Sequence, residues 1–274
     1  MKNHTVRAIS GILFLGIMIA GLLIGPYTFA LLFILMMSGM LWEFYRMTMG
    51  DHYKVERILA ILVAVFFFCL LFLAVTGKAN IRYIGLSIVP LTVIMILSLF
   101  VKDKTDFGLF SNLYTGLLYI GLPLSLANFI VMKDGVYSGI LMLAFFIIIW
   151  ASDVGAYTFG TLFGRNGRKL FPSISPKKSW AGFWGGLAVA IVAGVILQIT
   201  GLLDIPLLHA VALAIVMNVT GVYGDLFESQ WKRVTGFKDS GTIIPGHGGL
   251  LDRFDSAIFA IPFGVIYLVI FNLI

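Results

Sequence analysis

Five of the thirteen acidic residues in this 274-residue chain sit at the ends of long apolar runs, where a carboxylate needs a partner. Asp153 stands in Ile149-Trp-Ala-Ser-Asp-Val-Gly-Ala-Tyr, and Asp225 and Glu228 in Gly221-Val-Tyr-Gly-Asp-Leu-Phe-Glu. Asp252 and Asp255 stand in Leu251-Asp-Arg-Phe-Asp-Ser. The pairs Asp225/Glu228 and Asp252/Asp255 are spaced i,i+3, which puts each pair on one face of a helix. Any one of these acids alone reads as an ordinary boundary carboxylate paired with Arg233 or Arg253. Together, among Lys and Arg, they offer the oxygen ligands of a divalent cation, Mg2+ in particular, that also holds substrate phosphates.

Two polar segments supply the positive charge. The first, Ser173-Ile-Ser-Pro-Lys-Lys-Ser-Trp-Ala-Gly, places Lys177 and Lys178 just before a new apolar run. A helix start with free N–H groups, hydroxyls and ammonium ions can cradle a phosphate. The same lysines would also serve as anchors at the membrane surface, and the segment alone does not choose. Arg165, Arg168 and Lys169 read as topology determinants. The second segment runs Ser229-Gln-Trp-Lys-Arg-Val-Thr-Gly-Phe-Lys-Asp-Ser-Gly-Thr-Ile-Ile-Pro-Gly-His-Gly-Gly-Leu-Leu-Asp-Arg-Phe-Asp. It combines Lys232, Arg233 and Lys238 with Asp239, then a Pro-Gly-His-Gly-Gly stretch whose glycines let backbone amides approach an anion. His247, between glycines, reads as a hydrogen-bond donor to phosphate or a part-time acid, against a loop-fixing role. There is no Gly-x-x-x-x-Gly-Lys-Ser/Thr loop, so a nucleotide here is not held in the P-loop manner.

The elements that must carry these residues are membrane helices. The chain is 60% hydrophobic and only 12% charged, with 24 Phe, 11 Met and 30 Gly, and its mean hydropathy is +1.02. A soluble domain carries about 45–50% apolar and about 25% charged residues. Soluble enzyme, disordered tail and secreted disulfide scaffold are excluded, and the single cysteine, Cys69, reads as a small hydrophobe. Apolar runs near the ~20 residues a spanning helix needs begin close to Ile9, Tyr27, Ile58, Tyr83, Leu109, Tyr137, Trp180, Pro206 and Arg253. The expectation is an all-α polytopic protein of about nine transmembrane helices, the first of them an uncleaved span. Residues 1–274 form one integral membrane domain, with 1–135 mainly scaffold and 136–274 carrying the chemistry.

Counted over alternate loops, 16 of the 19 Lys and Arg fall on one side and 3, Lys78, Arg82 and Lys133, on the other. The positive-inside rule then predicts a cytoplasmic N-terminus and an outside C-terminus, which gathers all five boundary acids at the cytoplasmic face. The net charge of +6 belongs to that face and points to the cytoplasmic leaflet and anionic partners, not nucleic acid. Pro90, Pro123 and Pro262 lie inside spans and should bend them. Gly182 and Gly186 form a small-xxx-small pair suited to close helix approach, within the chain or in a homodimer.

The run from Ser229 to Asp255 resembles the signature of the phosphatidate cytidylyltransferases, or CDP-diacylglycerol synthases. Ser-x-x-Lys-Arg, four residues, Lys-Asp, Pro-x-His-Gly-Gly and Asp-Arg-x-Asp are all present in register. Trp231 stands where an aliphatic residue is expected. Asp153-Val-Gly-Ala-Tyr with Gly160, and Ser175-Pro-Lys-Lys-Ser-Trp-Ala-Gly with Ser179 in place of a commoner Thr, are similar to further stretches of that family. The resemblance covers the C-terminal half in motif detail and the whole chain in size and hydropathy.

What the resemblance implies is transfer of CMP from CTP to phosphatidate, giving CDP-diacylglycerol and pyrophosphate, with Mg2+ required, at the cytoplasmic face of the cell membrane. On that reading the lipid phosphate attacks the α-phosphorus in line and no protein nucleophile is needed. Asp225 and Asp252 are the expected metal ligands, with Asp255, Glu228 and Asp153 as supports or ligands of a second cation. Lys177, Lys178, Lys232, Arg233, Lys238 and Arg253 would neutralise phosphates, with Asp239 and His247 in the same catalytic set. Ser175, Ser179 and the amides of Gly248 and Gly249 would add hydrogen bonds. Two alternatives remain: a related nucleotidyl- or phosphotransferase acting on another lipid, and an anionic-solute transporter. The latter would place its charges near the bilayer midplane with repeat symmetry, and no repeat is visible.

Overall fold

A chain this apolar can satisfy its backbone in lipid only by closing hydrogen bonds within each segment, and helices dominate accordingly. The computed structural model describes residues 2–100, 107–133, 135–244, 246 and 248–274. Among them, eight helical segments are long and apolar enough to cross a membrane, and the apolar stretch Ile9–Leu23 of the first helix adds a shorter one. The protein is an all-α, multi-pass membrane protein. The chain forms two compact units, Met1–Ser138 with Thr235–Arg253, and Gly139–Val234 with Phe254–Ile274.

The first unit contains α1 (Lys2–Leu23), α2 (Pro26–Met49) and α3 (Lys54–Val75), followed by the helical segments α4 (Ile81–Phe100) and α5 (Phe107–Ile130). Pro26 opens α2 at a position where its missing N–H is not needed. The core of this unit is the Phe- and Met-rich face of α2. Phe29, Phe33, Met36, Met37, Met40 and Phe44 are buried there, and Phe33 stacks on Phe68 of α3 at 6.3 Å between ring centroids. The Tyr45 hydroxyl donates to the Leu113 carbonyl of α5 at 2.9 Å. This is possible because residue 116 is Gly, where a Cβ would fall 2.4 Å from the Tyr45 ring. α5 then widens into a π turn at Leu117–Gly121, just before Pro123. Pro90 lies in the first turn of the α-helical part of α4, Ile88–Leu97, where Ile94 is the one buried residue. Most of the rest of α4 is exposed. A small antiparallel pair, β1 (Met132–Lys133) and β2 (Val136–Tyr137), follows α5.

The second unit contains α6 (Ile140–Phe163), α7 (Trp180–Ile199) and most of α8 (Leu207–Thr235). It also takes all but the first turn of α9 (Leu251–Ile270), within which Pro262 lies. α6 and α7 meet along a seam of small residues. A Cβ on Gly182 would lie 2.9 Å from the Ala156 carbonyl, and one on Gly186 would lie 2.9 Å from the Ser152 carbonyl. The Gly182/Gly186 pair is therefore occupied within the chain. Between α6 and α7 runs an antiparallel hairpin, β3 (Lys169–Phe171) and β4 (Ser175–Ser179), with Lys169 opposite Ser179 and Phe171 opposite Ser175. Hydropathy gives no sign of either hairpin, because both lie in polar connections between spans.

Candidate active site

In the second unit, α8 carries Asp225 and Glu228 one turn apart, and the first turns of α9 carry Asp255. One carboxylate oxygen from each lies within 4.8 Å of the others. The approach depends on Gly224, where a Cβ would stand 2.4 Å from the Asp255 carbonyl. Asp153 on α6 acts on Asp255 as a further like charge. Carboxylates this close repel unless positive charge stands among them. Two lysines supply part of it: Lys178 pairs with Asp225, and Lys232 reaches Glu228 at 2.5 Å. The Ser229 hydroxyl donates to Asp225 Oδ1 at 3.3 Å. Glu228 is fully buried, whereas Asp225 and Asp255 are half-buried. An all-oxygen donor set fits a hard divalent cation, which takes phosphate oxygens as further ligands.

The β3–β4 hairpin presents the basic residues of this unit. Lys178 is half-buried at its ion pair, and Lys177 is exposed. Arg233 Nε donates to the Ile174 carbonyl at 3.3 Å, tying the end of α8 to the hairpin turn. Ser175 begins β4 opposite Phe171. The Ser179 hydroxyl, expected to face substrate, accepts the Gly182 N–H at 3.2 Å and so caps the N-terminus of α7.

The remaining signature residues belong to the first unit. Lys238, Asp239 and Arg253 are exposed, whereas Ser240 is buried. The Ile244 N–H donates to the Gly248 carbonyl at 3.0 Å. Gly246 and Gly248 have φ of +78° and +89°, a region open to glycine and strained for other residues. His247 lies outside the described residues. Asp252 is not a member of the Asp225–Glu228–Asp255 group. Its Oδ2 accepts two backbone N–H groups, from Ser240 and from Gly249, at 3.0 Å each. The Gly249 amide, expected to face an anion, is thus directed to Asp252.

Glu43 lies outside every sequence motif of the site. This residue of α2 is 2% exposed, and its Oε2 accepts the Leu251 N–H at 2.8 Å and the Ser240 hydroxyl at 3.2 Å. The signal was present, since Glu43 is the one acid in the apolar run of α2, and an ionisable residue within a span marks function by default. A second buried polar pair, the Ser152 hydroxyl donating to Asn218 Oδ1 at 2.7 Å, joins α6 to α8, the helix that carries Asp225 and Glu228.

Comparison with known proteins agrees with this chemistry. A phosphatidate cytidylyltransferase of Bacillus subtilis is 30% identical over 273 residues, covering 99% of this chain and 100% of that protein. One of Staphylococcus epidermidis is 46% identical over 117 residues, 43% of this chain and 44% of that protein. One of Haemophilus influenzae is 45% identical over 132 residues, 46% of this chain and 45% of that protein. The model of the cytidylyltransferase family matches residues 5–271. Matched over nearly its whole length, the chain belongs to the cytidylyltransferase family.

Proposed function

We propose that this protein transfers CMP from CTP to phosphatidate, giving CDP-diacylglycerol and pyrophosphate. The observation that carries the reading is the Asp225–Glu228–Asp255 group with lysines on two of its members, in a cytidylyltransferase whose relatives bear that activity in their names. A phosphatidate oxygen forms the new bond to the α-phosphorus of CTP, and the bond from that phosphorus to the bridging oxygen breaks as pyrophosphate leaves. Both substrates are polyanions, so the protein's work is to orient them and offset their charge.

Asp225, Glu228 and Asp255 would hold Mg2+, with Asp153 behind them, and a second cation is compatible with the two phosphates that meet here. Bound there, Mg2+ would supply electrophilic stabilisation of the phosphate oxygens. Lys178 and Lys232, paired here with Asp225 and Glu228, would supply positive charge for the triphosphate. Lys177, Lys238, Arg233 and Arg253 add positive charge for the lipid phosphate. Ser175 adds a hydroxyl, and Ser179 acts indirectly by capping α7. Asp252 acts from its amide-held position. Motif residues lie in both compact units. The 16-to-3 division of Lys and Arg across alternate loops supports a site that faces the cytoplasm, with the N-terminus on the same side.

The test is product formation by the purified protein in detergent–lipid micelles supplied with CTP, phosphatidate and Mg2+. CDP-diacylglycerol should form, EDTA should abolish it, and Asp225→Ala should lower its rate of formation by about 100–1,000-fold. A folded wild-type protein that makes no CDP-diacylglycerol would overturn the proposal, and the same assay with other lipid acceptors would identify the reaction.

A further inference from the structure

A buried carboxylate in a membrane-spanning helix must be compensated by hydrogen bonds or opposite charge. Glu43 is compensated by the 240–251 loop. Its Oε2 accepts from Ser240 and Leu251, and Oε1 has no hydrogen-bonding partner among the described residues. Every hydrogen bond of this carboxylate therefore goes to a segment 197 and 208 residues away in the chain. The fit is close on both sides of the loop. A Cβ on Gly241 would fall 2.2 Å from Oε1, and one on Gly249 would fall 2.8 Å from Oε2.

From Glu43 the contacts lead to Asp252 in two steps. Ser240 gives its hydroxyl hydrogen to Glu43 and its backbone N–H to Asp252 Oδ2 at 3.0 Å, and the Asp252 N–H returns to the Ser240 hydroxyl at 3.3 Å. Gly249, packed against Glu43, donates to the same Oδ2. Leu251, the first residue of α9, has an N–H with no partner inside the helix, and the Glu43 carboxylate receives it. A negative charge there also suits the positive end of the helix dipole.

We propose that Glu43 is a positioning residue. From a span otherwise free of acids, its carboxylate fixes the Ser240–Leu251 loop and thereby the direction of the Asp252 carboxylate. For its consequence on turnover this rests on the proposed cytidylyl transfer; for the ordering of the loop it stands alone. Glu43 touches no reacting atom, and the basic residues around the loop keep their side chains when it is replaced. Its loss should therefore lower kcat with little change in the KM for CTP.

The experiment compares Glu43→Ala, Glu43→Asp and Glu43→Gln with the wild type, each as the full chain in micelles, by hydrogen–deuterium exchange and by turnover per folded molecule. Glu43→Ala should speed exchange in peptides covering 236–252 by at least about tenfold and lower kcat by about 10–100-fold, the range seen when a supporting shell is removed. Glu43→Gln keeps one oxygen able to accept both donors and should recover kcat to within about threefold. Adding Ser240→Ala to Glu43→Ala should cost little more, because the two lie on one chain of contacts. Should Glu43→Ala fail to fold, Glu43→Asp, which withdraws the carboxylate by one methylene, is read in its place. Unchanged exchange in 236–252, wild-type kcat in a loosened loop, or Glu43→Gln as impaired as Glu43→Ala would each overturn the proposal. A wild type that makes no product would count against the reaction and not against Glu43, whose hold on the loop the exchange comparison decides.

Discussion

The two compact units each hold acidic side chains in an apolar setting, and they balance them with a different emphasis. In the second unit, Asp225 and Glu228 are matched by the ammonium groups of Lys178 and Lys232, with the Ser229 hydroxyl also on Asp225. In the first, Glu43 and Asp252 are matched by a hydroxyl and by backbone N–H groups of Ser240, Gly249 and Leu251. A lysine can swing away when a better cation or a phosphate arrives, so a lysine-balanced carboxylate is free to change partners. A backbone amide cannot leave without moving the chain, so an amide-balanced carboxylate holds a shape. The first arrangement suits ligand exchange and the second suits fixing a loop.

That contrast can be broken experimentally, beginning where the largest effect is expected. Asp225→Ala removes a group meant to exchange partners, and turnover should fall by about 100–1,000-fold while the thermal unfolding midpoint changes little. A drop in stability to match the drop in rate would erase the distinction between the units. Gly249→Ala strikes the other kind of site, because its Cβ would lie 2.0 Å from the Ser240 hydroxyl. Here stability should fall by about 1–3 kcal/mol from overpacking, read by thermal unfolding in micelles, and a variant as stable as wild type would show that the loop yields easily.

Lys178→Met sharpens the exchange argument. The pair it makes with Asp225 is partly exposed on both sides, so its loss should alter stability by less than about 1 kcal/mol. The KM for CTP should nonetheless rise by about tenfold, as expected when uniform binding is removed. A KM equal to wild type would take Lys178 out of the phosphate-binding set. The smallest effect belongs to Ser179→Ala. Losing the cap of α7 should cost about 1 kcal/mol with turnover within about twofold once folded protein is counted. A loss of turnover far beyond this would return the Ser179 hydroxyl to direct contact with substrate.

The spans were readable from sequence because lipid imposes a length and a composition on each. The runs beginning near Tyr27, Tyr83, Leu109 and Pro206 match helices that start at Pro26, Ile81, Phe107 and Leu207. The offsets arise where a helix extends past its apolar run into polar turns, as α3 does by starting at Lys54 before the Ile58 run. The acidic group was readable because i,i+3 spacing constrains Asp225 and Glu228 to one face. What hydropathy does not contain is the choice of partner. It offers Gly182 and Gly186 to any neighbouring helix, and packing against Ala156 and Ser152 decides for α6. It scores Glu43 as a blemish in an apolar run, and only a loop some two hundred residues later gives that residue its role. The β3–β4 hairpin was missed because its pairing, Lys169 with Ser179, joins polar residues that carry no alternation.

α4 has one further consequence. In its α-helical part Ile94 is the one fully buried residue, with Pro90, Leu91 and Leu97 half-buried and the other six exposed, so acyl chains can reach most of this segment. Its fit is then a matter of membrane thickness and fluidity as much as of amino-acid choice. A helix exposed in this way meets a change of bilayer thickness directly. An enzyme of lipid synthesis carrying one would have part of its surface continuously in register with the material its pathway builds.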